Sequence, residues 1–90
     1  MPPVDPAFLA DVEAHLIAAA EEHLQLQGLG PDDNIFELGG DSMVSVSILM
    51  NLESDFQVRL PDGLLDKAGG GIAACAEAIA ASIQAQRPTS

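Results

Sequence analysis

The sequence predicts an all-α fold: a small antiparallel bundle of three main helices and one short helical turn. Three observations point there. Apolar residues recur at helical spacing in segments near residues 6–27, 42–56 and 72–86. Long connections rich in Gly and Pro separate these segments. No segment alternates apolar and polar residues for long enough to make a strand, the nearest being the short extended stretch Phe56-Gln57-Val58-Arg59-Leu60. Ninety residues make one domain. Its ordered core is expected over about residues 6–86, with short flexible tails.

The first helix opens on Asp5, a good N-cap, with Pro6 at the first helical position. Leu9, Val12, Leu16 and Leu24 fall near one face, with Ala20 between them, and Gly28 is the expected stop. Residues 28–41 then form a long loop, a kind of segment that is usually functional in so small a domain. Its apolar islands Ile35, Phe36 and Leu38 are expected to pin it to the core. Asp41 or Ser42 caps the second helix. In the next connection, Leu64-Leu65 behind Asp62 makes one short helical turn, and Gly69-Gly70-Gly71 reads as flexible. The last helix carries Ile72, Ala76, Ile79 and Ile83 on one stripe. Cys75 sits among alanines there, as a small core or flanking residue.

The second helix has two apolar faces. With Met43 at 0° and about 100° per residue, Val46 falls near -60° and Met50 near -20°. Ile48, Leu49, Leu52 and Phe56 fall on the opposite side, between about 140° and -120°. The wider face is the natural core face, so Met43, Val46 and Met50 look outward. An exposed stripe with two methionines is an adaptable docking surface.

Charge and composition narrow the function. Fourteen Asp and Glu against three Lys and Arg leave a net charge of -11, which argues against nucleic-acid binding and against an anionic membrane surface. A partner with a basic patch would be steered to such a chain. One cysteine excludes an internal disulfide and a Cys-rich zinc site. The acidic loop with Asp32, Asp33 and Asn34 lacks the spacing of a helix–loop–helix calcium site. The start lacks a signal peptide, and no apolar run has the length of a membrane span. A cytoplasmic monomer is the expectation.

Gly39-Gly40-Asp41-Ser42 ends the long loop and opens the second helix. A serine there sits beside unpaired N–H groups and the positive end of the dipole, a good place for a phosphate. It is not a hydrolase nucleophile. The segment reads GGDSM rather than G-x-S-x-G, and the only histidines, His15 and His23, lie on the first helix and do not converge. Ser42 reads as a residue that is acted upon.

The stretch DNIFELGGDSMVSVSILMNLESDFQVRL resembles the core of acyl and peptidyl carrier proteins, through Phe36, Leu38 to Ser42, Leu52, Phe56 and the run Val58 to Pro61. The order and lengths of the elements extend the resemblance over about residues 6–85. The resemblance implies a four-helix bundle of the acyl-carrier type, with a short third helix. It implies that a phosphopantetheinyl transferase attaches 4′-phosphopantetheine from coenzyme A to Ser42, beside the motif residue Asp41. It implies a non-catalytic protein whose arm carries an aminoacyl or acyl thioester. The partners implied are an adenylation or acyl-loading enzyme, then condensation, ketosynthase or tailoring enzymes. They would meet Met43, Val46, Ser47 and Met50.

The double glycine and a second helix with little acid look most like the peptidyl carriers of nonribosomal peptide synthesis. Carriers of polyketide or fatty acyl chains are the alternative, and an unmodified helical interaction module is the alternative of another class. The hydrophobic-Pro-Thr step common before the last helix of the family is replaced by Ala68-Gly69-Gly70-Gly71-Ile72. The chain begins at Met1 and ends just past the last helix, which fits a free-standing carrier, and a domain excised from a megasynthase would look similar.

Overall fold

The computed structural model describes residues 4–86, so the expected tails at 1–3 and 87–90 lie outside the described residues. Four helices follow in order: α1 (Pro6–Leu24), α2 (Ser42–Phe56), the one-turn α3 (Leu64–Lys67) and α4 (Ile72–Gln86). Among the described residues the only extended pairing is an isolated bridge between Asn34 and Gly71, so residues 56–60 form no strand.

Asp5 caps α1 as expected, its Oδ1 accepting from the Ala7 N–H at 3.0 Å. The other end of α1 differs from expectation. The helix stops at Leu24, not at residue 27, and Gly28 is not the terminator. Gln25 takes the left-handed conformation, with φ 57, and the Leu26 N–H reaches back to the Glu21 carbonyl at 3.0 Å. The Glu21 carboxylate then accepts the N–H groups of Gly28 and Leu29 at 2.7 and 3.1 Å. One glutamate therefore uses its carbonyl to close the helix and its side chain to fix the exit.

The end of α2 repeats the device. Gln57 is left-handed, with φ 54, and the Val58 N–H donates to the Glu53 carbonyl at 3.1 Å. The Glu53 carboxylate accepts from the Leu60 N–H at 2.8 Å. Both helices thus stop without the glycine that usually relieves a left-handed residue of Cβ crowding.

The core lies between α1, α2 and α4. Val12, Leu16, Ala19 and Ala20 of α1 meet Ile48, Leu49 and Leu52 of α2 on one side, and Ile72, Cys75, Ala76, Ile79, Ala80 and Ile83 of α4 on the other. The alanines let α1 and α4 approach closely, and Leu65 carries α3 onto α4. His15 links α1 to α2: its Nδ1 lies 3.1 Å from Asp55 Oδ2, and its ring meets the Phe56 ring edge-on at 4.9 Å. Cys75 is fully buried, and burial pushes its thiol up to about 11.

The connection before α4 behaves differently from the expectation. Gly69-Gly70-Gly71 is not a free hinge but the seat of the long loop. The Ile35 N–H donates to the Gly70 carbonyl at 2.8 Å, and the Ile72 N–H donates to the Asp33 carbonyl at 2.9 Å. Arg59, in the stretch after α2, forms no ion pair among the described residues. Its backbone is held by the Gln86 side chain, whose Oε1 accepts from the Arg59 N–H at 3.1 Å and whose Nε2 donates to the Arg59 carbonyl.

Candidate functional site

The first turn of α2 settles which residue is the cap. Asp41 is extended, with φ -113, and its Oδ1 accepts from the Val44 N–H at 2.9 Å. Its carbonyl takes the Ser45 N–H at 2.9 Å. Ser42 is therefore the first helical residue rather than the cap. It is exposed, and among the described residues no hydrogen bond occupies its hydroxyl. Asp41 does the structural work, which leaves the serine free for chemistry.

The two preceding glycines serve different ends. Gly39 has φ +103, a conformation that L side chains rarely adopt. Gly40 has no room. Its N–H donates to the Ile35 carbonyl at 2.9 Å, and a Cβ there would lie 2.7 Å from both Ile35 Cγ2 and that carbonyl oxygen. Ile35 is fully buried, so the approach to Ser42 is set by the core itself. Of the expected anchors, Ile35 is buried and Phe36 half-buried, whereas Leu38 is 38 % exposed and does not pin the loop.

The outward stripe is exposed. Met43 is 78 % exposed, Met50 61 % and Val46 36 %, whereas Ile48, Leu49 and Leu52 are buried. Ser47 is half-buried and borders a shallow open groove with His23, Met50, Asn51 and Ser54. The acids at the far end of α2 are both engaged within the fold, Glu53 on the Leu60 N–H and Asp55 on His15. Ser45 faces inward from the first turn, and its buried hydroxyl has no hydrogen-bond partner. Sequence reasoning passed over Ser45, because only its angular place among Ile48, Leu49 and Leu52 distinguishes it from the outward serines.

Among the described residues, the exposed Ser42 hydroxyl has no histidine as a hydrogen-bond partner. His15 is committed to Asp55 and to Asp11, whose Oδ1 lies 3.6 Å from its Nε2. His23 lines the groove beside Met50. Among the described residues no group of His, Cys, Asp and Glu could hold a metal ion.

The family model described as "PP-binding: Phosphopantetheine attachment site" matches residues 14–79. The chain belongs to this family. It is a carrier domain of four helices with a short third one; it catalyses nothing itself, and its prosthetic group is 4′-phosphopantetheine. The residues fit that group: a solvent-facing, unengaged hydroxyl at the positive end of a helix suits a phosphodiester and demands no pocket. Tyrocidine synthase 3 of Brevibacillus parabrevis is 38% identical over 58 residues, 61% of this chain. Tyrocidine synthase 2 of the same organism is 38% identical over 50 residues, 56% of the chain. Polyketide synthase PksN of Bacillus subtilis (strain 168) is 33% identical over 48 residues, 53% of the chain. The matched stretch is 1% of each of these relatives. No solved structure matches the carrier domain significantly.

Proposed function

We propose that Ser42 is the attachment residue and that the arm carries aminoacyl or acyl intermediates in nonribosomal peptide assembly. The observation that carries this is the free, exposed Ser42 hydroxyl immediately behind a cap that Asp41 supplies alone. A phosphopantetheinyl transferase supplies the missing base. The Ser42 Oγ attacks the phosphorus that bears the pantetheine chain in coenzyme A. The new O–P bond replaces the pyrophosphate P–O bond, adenosine 3′,5′-bisphosphate leaves, and the serine proton passes to the transferase. Once attached, the arm supplies a thiol that holds the cargo as a thioester.

Met43, Val46, Ser47 and Met50 serve as the partner surface, supported by the exposure of Met43, Val46 and Met50 on the helix that Ser42 opens, with half-buried Ser47 beside them. The adenylation enzyme that loads the thiol and the condensation or tailoring enzymes that empty it are its users in turn, with the domain acting as a monomer in the cytoplasm. The two tyrocidine synthases favour the peptide pathway. The likeness to a polyketide synthase supports a second reading, an acyl carrier served by a ketosynthase.

Intact mass after incubation with coenzyme A and a broad-specificity transferase tests the assignment. One phosphopantetheine adduct is expected on the wild type and none on Ser42→Ala. Folded wild-type protein that stays unmodified with several transferases overturns it and leaves an unmodified interaction module. Charging of the loaded domain by adenylation enzymes or by acyl-transfer enzymes separates the two pathways.

A further inference from the structure

The long loop is not merely parked on the bundle; one side chain stitches it to the connection before α4. Asn34 Nδ2 donates to the Gly69 carbonyl at 2.9 Å. Asn34 Oδ1 accepts from the N–H groups of Phe36 at 2.9 Å and Glu37 at 3.2 Å. The Asn34 carbonyl accepts from the Leu38 N–H at 3.1 Å. A single residue therefore shapes the turn that leads to Ser42 and ties that turn to a segment 35 residues further on.

The tie continues to the serine. The Gly70 carbonyl accepts from the Ile35 N–H, and the Ile35 carbonyl accepts from the Gly40 N–H at 2.9 Å. Gly40 leads through Asp41 directly into Ser42. On the far side, Gly70 has φ +82 and offers the loop a flat seat: a Cβ there would strike the Phe36 ring and lie 2.8 Å from Asn34 Oδ1. The path from Gly70 to Ser42 is thus two hydrogen bonds and two peptide links, every donor and acceptor in it belonging to the backbone.

We propose that Asn34 and Gly70 form a positioning clasp that fixes where Ser42 stands relative to the docking stripe. The inference rests on the reading that Ser42 is the modified residue. Neither Asn34 nor Gly70 touches the reacting atoms; both act through the loop. The physical reason to expect such a device is that the serine hydroxyl must meet an activated phosphorus in line, and small misplacement of a reacting group is costly even when binding is intact. The stripe on α2 is anchored by the core beneath it, but Ser42 lies at the helix end, where only the loop fixes the incoming chain.

Asn34→Asp is the first test, because it keeps the acceptor for Phe36 and Glu37 and sets a carboxylate oxygen, which cannot donate and repels the Gly69 carbonyl, in place of the donor. Gly70→Ala breaks the clasp from the other side. Transferase kinetics on apo protein are expected to show kcat lower by about tenfold for each variant. KM for the carrier is expected to hold within a factor of about two, because the docking stripe is untouched. Because both variants disturb the same seat of the loop turn on residues 69–71, the double variant is expected to be no slower than the worse single one. The amide resonances of Asp41, Ser42 and Met43 are expected to move in Gly70→Ala, which alters no residue near them in sequence.

Unchanged kcat in folded Asn34→Asp overturns the clasp, as does a double variant whose losses multiply. A rise in KM with kcat unchanged also overturns it, because that assigns the loop to docking instead. Helical circular dichroism accompanies each assay, and a kcat loss that only follows a loss of helix counts against the proposal. Failure of the wild type itself to load refutes the assignment of Ser42 and is distinguishable from all of these.

Discussion

Gly40→Ala gives the sharpest test of how the core sets the site. The added Cβ would lie 2.7 Å from Ile35 Cγ2, 2.7 Å from the Ile35 carbonyl oxygen and 3.2 Å from its carbonyl carbon. Two of these three atoms are backbone, and Ile35 is fully buried, with its N–H on the Gly70 carbonyl. Neither side yields cheaply: moving Ile35 breaks that bond, and moving Gly40 breaks the bond between its own N–H and Ile35. Overpacking of this kind costs about 1–3 kcal/mol. The loss of one backbone hydrogen bond adds about 1 kcal/mol. In a domain of this size each kcal/mol shifts Tm by about 4–8 °C, so a fall of at least about 8 °C is expected by circular dichroism. Gly63→Ala is the control. At φ -91 and with no atom within 4 Å of a Cβ, it is expected to stay within about 3 °C of wild type. A Gly40→Ala protein that melts with the control refutes the argument that Ile35 dictates the approach to Ser42.

Ser45→Ala removes a buried hydroxyl that has no partner and is expected to stabilise the fold by about 1 kcal/mol, read as a shift in urea midpoint; a destabilised variant refutes the reading. Glu53→Ala strips the Leu60 N–H of its acceptor and is expected to cost about 1 kcal/mol by the same measurement, with Glu53→Gln recovering most of it. Cys75, pushed up to about 11 by burial, stays a neutral thiol in the folded state well above neutrality. Its contribution to stability is complete below the ordinary thiol value of 9.0 and is lost as pH rises towards about 11. Denaturant midpoints over that range are expected to fall for wild type and to fall less for Cys75→Ala. On the loaded domain at neutral pH, an alkylating reagent is expected to modify the arm thiol and spare Cys75, as peptide mass mapping will show.

What could be read from the sequence was what local periodicity carries. The inward and outward faces of α2 follow from 100° steps alone, because Ile48, Leu49 and Leu52 and the stripe of Met43, Val46 and Met50 repeat at helical spacing. The ends of α2 and α4 were legible for the same reason. The end of α1 was not: a glycine signal at residue 28 outweighed Gln25, whose left-handed turn depends on Glu21 folding back over the exit. Asn34 read as one more polar residue in an acidic loop, since its role depends on Gly69, far away in sequence. The run of three glycines looked like slack because composition cannot show that Phe36 and Asn34 lie against Gly70. Local chemistry located the serine; contacts distant in sequence determine how it is held.

The division of α2 into a buried face and a bare one bears on how such a domain diverges. Ile48, Leu49 and Leu52 hold the fold, and none of the stripe residues belongs to the core cluster. Substitutions at exposed positions of this kind usually change stability by less than about 0.5 kcal/mol. Met43, Val46 and Met50, the partner surface proposed above, can therefore drift while the scaffold stays constant. Duplicated copies could acquire separate clienteles within a few substitutions, without first having to be rebuilt as proteins.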